Sequence, residues 1–230
     1  MIQVGSSISV VIATLNEEEG IGPTISELQK VLDRPYLIVV DGNSVDRTIE
    51  IAKNMGADVL LQKGMGKGNA MFQGYHTISS KVSLIAFTDG DYTYPAQYLP
   101  EMIEILEQNP EVGMVIGNRF KGQNNDSKSL TNPFYIGNRF LSLAQTVMNG
   151  VKLEDPLSGL RVVRSEILDG WKPKSKGFDV EAEMNSIVGR KGFRIVEVPI
   201  DYRIRLGEKK LKLRHGFSIM KRIIVESLIF

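Results

Sequence analysis

The chain contains no cysteine and only two histidines, His76 and His215, among its 230 residues. Disulfide bonds and thiolate metal sites are therefore excluded, and a zinc site built on several histidines or a Ser-His-Asp triad is not expected. No apolar run approaches the roughly 18 residues that cross a membrane. The N-terminus lacks a basic stretch followed by a long apolar one, so we expect no signal peptide. These absences fit a reducing compartment, and we expect a cytoplasmic protein.

Charge is nearly balanced over the whole chain but not along it. The hydrophobic content of 42% and the charged content of 24% are ordinary for a globular protein, and the length suffices for a buried core. Residues 203–222 contain eight Lys and Arg residues and one Glu, a net charge of +7, whereas the whole chain carries +1. Such a block favours an anionic partner: a phosphate-bearing substrate, a membrane surface or nucleic acid.

Strand and helix patterns alternate through the first half of the chain. Short apolar runs predict strands at residues 8–13, 36–40, 57–61, 83–88 and 112–116, with helical patterns between them. This order predicts an α/β fold with a mainly parallel sheet and helices on both faces.

The second half of the chain is less regular, and no domain boundary is evident. It predicts helices at 135–148 and 178–188, strands at 160–163 and 194–198, and a polar, mobile loop at 123–132. We therefore expect one domain, residues 1–215, followed by an amphipathic C-terminal helix, residues 216–230.

Two aspartates, Asp89 and Asp91, directly follow the apolar run at 83–88. In an open α/β sheet, ligands bind outside the carboxyl ends of the strands. Two carboxylates at that edge suit a divalent cation such as Mg2+ or Mn2+, which in turn holds a diphosphate. An Asp-x-Asp turn that only caps a helix has the same sequence, so the pattern alone leaves both interpretations open.

Polar residues also follow the first two predicted strands, at residues 14–18 and 41–48. Asp41 is suited to accept hydrogen bonds from a base or from ribose hydroxyls, because adjacent parallel strands bring such ends together. Asp46 fits a helix cap better, and Glu17 could equally be a plain first-turn charge. The glycine-rich segment 63–68 matches neither a P-loop nor a dinucleotide-binding motif. It is either a flexible basic loop beside a nucleotide or a simple turn.

Five segments, taken together and in this order, resemble the family 2 glycosyltransferases of the GT-A fold: residues 13–17, 40–48, 66–68, 89–91 and 117–119. Residues 155–161 and 203–211 are similar to the branch that uses polyprenyl phosphates, which includes the dolichol-phosphate mannose and glucose synthases. The resemblance covers residues 8–215. It implies a Rossmann-like GT-A fold and metal-dependent, inverting transfer of a hexose from a nucleotide diphospho-sugar to a polyprenyl phosphate.

The resemblance also implies roles for residues in each segment. Thr14, Asn16, Glu17, Asp41 and Lys67 would border the nucleotide-sugar. Asp89 and Asp91 would hold the metal and the sugar diphosphate. The remaining candidates would act in catalysis (Arg119, Asp155 and Arg203) or bind the acceptor phosphate (Arg139, Ser158, Arg205 and Lys210). Arginine suits phosphate through its planar set of donors.

The sequence departs from the family pattern at two positions. Thr93 stands where mannose synthases often have glutamine, and Lys209 stands where that branch often has serine. The donor therefore stays open between the GDP-mannose and UDP-glucose types.

The chemical nature of the acceptor decides whether a general base is needed. A phosphate acceptor is already ionised near neutral pH, since its second pKa is about 6. A sugar hydroxyl would need a base, for which Asp155, Asp179 and Glu181 are the candidates. Transfer to a soluble saccharide and a nucleotide-sugar-binding module without catalysis are the alternatives. Nucleic acid is not an expected partner, because the basic block offers little aromatic stacking.

The C-terminal segment 216–230 carries Phe217, Met220, Ile224 and Leu228 at near-helical spacing beside Lys221 and Arg222. Such a helix is suited to lie on an anionic membrane surface. We therefore expect the protein in the cytoplasm, either free or peripheral on the cytoplasmic face of a membrane. Packing against the domain, an oligomer contact and a membrane-protein partner are the alternatives for this helix.

Overall fold

The computed structural model describes residues 8–78, 82–122 and 132–229. In these residues, seven strands alternate with seven α-helices, in the order β1 (Ile8–Thr14), α1 (Ile21–Val31), β2 (Tyr36–Asp41), α2 (Thr48–Asn54), β3 (Asp58–Leu61), α3 (Lys67–Ile78), β4 (Leu84–Asp89), α4 (Leu99–Gln108), β5 (Val112–Asn118), α5 (Pro133–Asn149), β6 (Arg161–Arg164), α6 (Val180–Arg190), β7 (Arg194–Pro199) and α7 (His215–Ser227). This order confirms the predicted α/β fold. Of the loop predicted at 123–132, all but the last residue lies outside the described residues.

All seven strands form one sheet in the order β3-β2-β1-β4-β6-β5-β7. Neighbouring strands run parallel except β6, which is antiparallel to both β4 and β5. The parallel register places Thr14 opposite Asp41 and Ala13 opposite Asp89. The polar residues that follow β1, β2 and β4 therefore meet at one edge of the sheet, as the sequence predicted.

Helices cover both faces of the sheet because the central strands are apolar on both sides. On β1, Val10 and Ile12 face the layer formed by α1, α2 and α4, whereas Val11 faces α3 and α6. The helices α5 and α7 pack together against the start of α6 in a third cluster built around Ile219 and Ile223. Within the described residues, no helix combines the length and the apolar character that a membrane crossing requires.

Several element boundaries differ from those expected. The helix expected from Pro95 begins with a 3-10 turn, Ala96–Tyr98, before α4 starts. The helix expected at 178–188 runs from Val180 to Arg190, and the last helix starts at His215 instead of 216. Sequence patterns fix where an apolar face lies but leave the ends of a helix uncertain by a few residues.

Candidate active site

Asp89 and Asp91 stand at the carboxyl end of β4, the central strand. The Asp91 Oδ1 atom accepts hydrogen bonds from the backbone N–H of Thr93 at 3.2 Å and from its hydroxyl at 2.6 Å. Gly159 approaches the other aspartate so closely that a Cβ there would lie 2.6 Å from Asp89 Oδ2. Hydrogen bonds from Thr93 therefore fix Asp91, and the close approach of Gly159 restricts the space around Asp89.

Lys67, the first residue of α3, connects Asp89 to Glu181 on α6. Its Nζ atom lies 2.5 Å from Asp89 Oδ1 and 2.8 Å from Glu181 Oε1. Burial lowers the pKa of Lys67, but the adjacent charges of Asp89 and Glu181 raise it further, so the net shift is upward and the amine stays charged. The glycine-rich loop thus delivers its lysine to the carboxylate edge of the sheet.

The two aspartates have the composition of a site for a divalent cation that also uses ligands from the substrate. Burial and the neighbouring charge of Asp89 raise the pKa of Asp91 above its ordinary value, so a cation between them would relieve unfavourable charge. No group of three metal-ligating side chains occurs in the part of the chain that the structure describes. Mg2+ is commonly bound by one or two carboxylates together with substrate phosphates and water, so the pair fits such an ion.

Asp41 organises the loop that follows β2. Its carboxylate is fully buried and accepts hydrogen bonds from Ser44 N at 2.7 Å, Ser44 Oγ at 2.6 Å and Thr14 Oγ1 at 3.0 Å. Asn16 adopts a left-handed backbone with φ of 50° and accepts a hydrogen bond from the backbone N–H of Val45. The predicted nucleotide-binding residues Thr14, Asn16 and Asp41 therefore lie together in one hydrogen-bonded pair of loops.

Glu17 is a buried ion-pair partner, which rules out the alternative of a plain surface charge. Arg205 Nη2 lies 2.9 and 2.8 Å from its two carboxylate oxygens, and Lys210 Nζ lies 2.5 Å from Oε1. Burial raises the pKa of Glu17 above its ordinary value even though both cations act to lower it. This cluster binds the C-terminal segment to the loop that follows β1.

Arg203 makes a similar contact with Glu27 on α1. Its guanidinium donates to both oxygens of Glu27, at 3.0 and 2.8 Å, and lies 4.2 Å from the centre of the Tyr92 ring. The Tyr92 hydroxyl also donates to Glu27, at 3.0 Å, and Tyr92 itself has a left-handed backbone with φ of 66°. Such a conformation costs free energy in a non-glycine residue, and these contacts hold it in place.

Arg119 and Asp155 form a planar two-point ion pair behind the aspartates. The guanidinium Nε and Nη2 atoms each lie 2.7 Å from one carboxylate oxygen, and the backbone N–H of Arg119 adds a third contact at 2.9 Å. Asp155 is fully buried. The structure therefore brings two predicted catalytic residues together, and each neutralises the charge of the other.

Comparison with known proteins identifies the family. The model of "Glycosyl transferase family 2" matches residues 9–171. The chain belongs to glycosyltransferase family 2. A dolichyl-phosphate hexose transferase of Haloferax volcanii is 31% identical to this chain. The match covers 95% of this chain and 92% of that relative. A dolichol-phosphate mannosyltransferase of Pyrococcus furiosus is 29% identical over 93% of this chain, but the chain spans only 64% of that relative.

The GT-A fold of this glycosyltransferase is confirmed by solved structures. Glucosyl-3-phosphoglycerate synthase from Mycobacterium tuberculosis, crystallised with Mn2+, UDP-glucose and phosphoglyceric acid, superposes with a TM-score of 0.74 at 24% sequence identity. The superposition covers 99% of this chain and 80% of that one. The family membership and this fold confirm the resemblance seen in the sequence, and they identify the protein as an enzyme, which removes the alternative of a binding module without catalysis.

Two residues predicted for the acceptor phosphate make no contact with the aspartates that would support this role. Arg139 is exposed on α5. Ser158 precedes Gly159, which adjoins Asp89, but Ser158 is fully buried and its hydroxyl has no hydrogen-bond partner among the described residues. Both assignments stay predictions.

Some residues of the glycosyltransferase site were missed in the sequence. Glu27 lies within α1 with no local signal, since nothing in a helical pattern reveals a partner 176 residues away. Arg161 was visible only as the last residue of the segment 155–161. It is fully buried and donates to the carbonyl of Ser158 at 2.6 Å and to Asn185 Oδ1 at 3.2 Å, so it ties the loop behind Asp89 to α6.

Proposed function

We propose that this glycosyltransferase transfers a hexose from a nucleotide diphospho-sugar to the phosphate group of a polyprenyl phosphate, with inversion at the anomeric carbon and with a divalent metal. The observation that carries the proposal is that every carboxylate considered as a general base is held in an ion pair. Asp155 binds Arg119, Asp179 binds Arg222 at 3.4 Å, and Glu181 binds Lys67.

Ion-paired carboxylates favour an acceptor that needs no base. A sugar hydroxyl loses a proton as it attacks, so an enzyme that uses one provides a free base. A phosphate monoester is already ionised near neutral pH, since its second pKa is about 6. The names of the relatives from Haloferax volcanii and Pyrococcus furiosus point to the same class of acceptor.

The donor is assigned to the edge formed by the ends of β1, β2 and β4. Thr14, Asn16, Glu17 and Asp41 border the nucleotide, and Lys67 lies beside the diphosphate. Asp89 and Asp91 would hold Mg2+ or Mn2+, and such an ion, when bound, would supply positive charge beside the departing diphosphate.

The reaction is a single displacement at the anomeric carbon. An oxygen of the acceptor phosphate forms the new bond to the anomeric carbon while the bond between that carbon and the donor diphosphate breaks. The nucleoside diphosphate leaves with the bonding electrons. The cations at this edge keep N–H donors that their carboxylates do not use. Arg205 and Lys210 would donate to phosphate while paired with Glu17, Arg203 while paired with Glu27, and Arg119 while paired with Asp155.

Exposed apolar side chains on α5 and α7 support a lipid acceptor. On α5, Ile136, Phe140, Leu143 and Val147 recur at helical spacing, and 50–75% of each is exposed. On α7, 83% of Phe217 is exposed. Apolar faces of this kind favour peripheral contact with a membrane, where a polyprenyl chain resides.

The proposed function is tested by incubating the enzyme and Mn2+ with radiolabelled GDP-mannose, UDP-glucose or UDP-N-acetylglucosamine and dolichyl phosphate. We expect label from one donor to enter the organic phase and a chelator to abolish the transfer. Label that appears only on a soluble saccharide would contradict the proposal and support the alternative acceptor.

The metal site is tested by a pair of glycine substitutions. A Cβ at Gly159 would lie 2.6 Å from Asp89 Oδ2, whereas a Cβ at Gly137 would meet no atom of the described residues within 4 Å. We expect Gly159→Ala to raise the Mn2+ concentration needed for half-maximal donor binding, because the added methyl group displaces Asp89. Gly137→Ala should leave that concentration unchanged, and an equal response of the two variants would argue against the assignment.

A further inference from the structure

A cavity of about 530 Å³ adjoins the carboxylate edge on the side of α7. Its wall is formed by the loop before α3, the segment 174–179 and the first turns of α7. Lys67 lies in this wall and also contacts Asp89 at 2.5 Å. A group bound in the cavity would therefore sit next to the proposed donor diphosphate.

Three lysines in the wall, Lys174, Lys176 and Lys221, are exposed and make no ion pair with another described residue. The other two cations of the wall are neutralised, since Lys67 binds Asp89 and Glu181 and Arg222 binds Asp179 and two glutamates. The three ammonium groups carry no counter-ion among the described residues and can bind an anion, whereas Asp179, which also lines the cavity, is paired with Arg222.

A neutral imidazole adds a polar group to the same wall. The His215 Nδ1 atom accepts a hydrogen bond from Lys212 N at 3.0 Å, so the neutral ring carries its proton on Nε2 and can donate there. Burial and the neighbouring cations Arg214 and Lys212 lower the pKa of His215, which keeps the ring neutral. Its ring stacks on Phe178 at 5.0 Å, which fixes its orientation.

We propose that this cavity binds a phosphate monoester, that of the acceptor, through Lys174, Lys176 and Lys221. The assignment rests on the proposed function for the identity of the ligand, but not for the existence of the anion site. Of the cations first assigned to the acceptor phosphate, Arg205 and Lys210 are paired with Glu17 and Arg139 is exposed on α5, whereas these three lysines pair with no described carboxylate. The exposed Phe217 of α7, next to the cavity wall, offers an apolar surface to an isoprenoid chain.

The test compares three probes in the absence of donor: farnesyl phosphate, glycerol 3-phosphate and farnesol. Binding is measured by calorimetry on the wild-type enzyme and on Lys176→Gln, Lys221→Gln and Lys172→Gln. Lys172 is a matched control, because it is an exposed lysine two residues before the segment 174–179 and does not line this cavity. All three changes are at the surface, where substitutions rarely alter folding.

We expect farnesyl phosphate to bind about tenfold more weakly to Lys176→Gln and to Lys221→Gln, since each change removes one charged hydrogen bond, and to bind Lys172→Gln as it binds the wild type. Farnesol should not bind. Glycerol 3-phosphate that binds equally well would identify a site for free phosphate compounds, which overturns the lipid acceptor while retaining the anion site. Equal affinity of all three variants for farnesyl phosphate would overturn the cavity as the site.

A second readout does not depend on activity. His215 and His76 are the only histidines, so their ring signals are easily distinguished by NMR. Farnesyl phosphate should shift the His215 signals at constant pH and leave those of His76 in place. If transfer to dolichyl phosphate occurs while the His215 signals stay fixed, the proposed function holds and the cavity is not the acceptor site. If His215 responds but no transfer is found, the anion site holds and the proposed function fails.

Discussion

At the scale of single residues, the edge of the sheet is organised by carboxylates that each hold a cation. The contact between Glu181 and Lys67 is well enclosed, since only 3% and 13% of these side chains are exposed. A buried ion pair adds little net stability, but removing one partner leaves the other charge uncompensated, which is costly. Lys67 therefore has a structural role in addition to its proposed place beside the donor.

We predict that Lys67→Met lowers the free energy of unfolding by about 3 kcal/mol, because it leaves Glu181 buried without its cation. Unfolding in denaturant, followed by circular dichroism, measures this loss. The double variant Lys67→Met/Glu181→Gln removes both charges and should recover much of it. A double variant no more stable than Lys67→Met would show that the loss comes from Asp89, which also loses its cation, or from packing, and not from Glu181.

The ion pair between Glu27 and Arg203 makes the stability of the folded protein depend on pH. Burial raises the pKa of Glu27, but hydrogen bonds from Arg203, Tyr92 and the backbone N–H of Ala96 outweigh it, so the net pKa lies below the ordinary 4.5. The carboxylate therefore stabilises the folded state above about pH 4.5, and this stabilisation is lost as the pH falls through the lowered, folded-state pKa.

We expect Glu27→Gln to melt at a lower temperature than the wild type near neutral pH. The difference should begin to close as the pH falls below 4.5, the pKa of the unfolded-state carboxyl, and should vanish below the lower folded-state pKa, where Glu27 is protonated and neutral like glutamine. Differential scanning calorimetry across this range measures it. A difference that grows towards acid would contradict the direction of the shift.

At the scale of elements, the segment 203–210 is bound across the loops that follow β1 and β4. Arg203 binds Glu27, while Arg205 and Lys210 bind Glu17, and the backbone N–H groups of Arg203 and Leu206 donate to the carbonyls of Thr93 and Asp91. The segment has no regular secondary structure. Its position therefore depends on a few ion pairs and hydrogen bonds.

We predict that Glu17→Gln makes this segment more sensitive to trypsin, because it releases Arg205 and Lys210, both of which are trypsin sites. Cleavage is followed by mass spectrometry of the first fragments. Glu19→Gln is the matched control, since Glu19 is an exposed glutamate in the same loop. Equal cleavage of the two variants would show that the Glu17 contacts are not needed to hold the segment and that its other ion pairs and hydrogen bonds suffice.

The sequence was sufficient to predict most elements but not all of their arrangement. The β-branched runs of β1, β2 and β4 and the aspartates at their ends predicted the parallel core and its polar edge. The antiparallel direction of β6 could not be predicted, because a strand of four residues, two valines between two arginines, carries no sign of its direction. Ion pairs such as Glu17 with Arg205 were also hidden, since they join residues 188 positions apart.

At the scale of the whole molecule, the distribution of charge and apolar surface matches an amphipathic substrate. The basic block of residues 203–222, predicted to meet an anion, divides in the structure into two parts. Arg203, Arg205 and Lys210 are bound by the enzyme's own glutamates, whereas Lys221 lines the cavity beside α7 without a described counter-ion. Exposed apolar side chains of α5 and α7 complete the surface that a lipid phosphate would meet.

The central claim is that the acceptor's phosphate is the nucleophile, and the most direct measurement compares dolichyl phosphate with dolichol. Each is incubated with the active nucleotide-sugar and Mn2+, and the lipid products are identified by mass spectrometry, with Asp91→Asn as the inactive control. We predict that dolichyl phosphate alone gains one hexose and that Asp91→Asn forms no product. Hexose attached to dolichol, or an unmodified dolichyl phosphate while a soluble acceptor is glycosylated, would contradict the account.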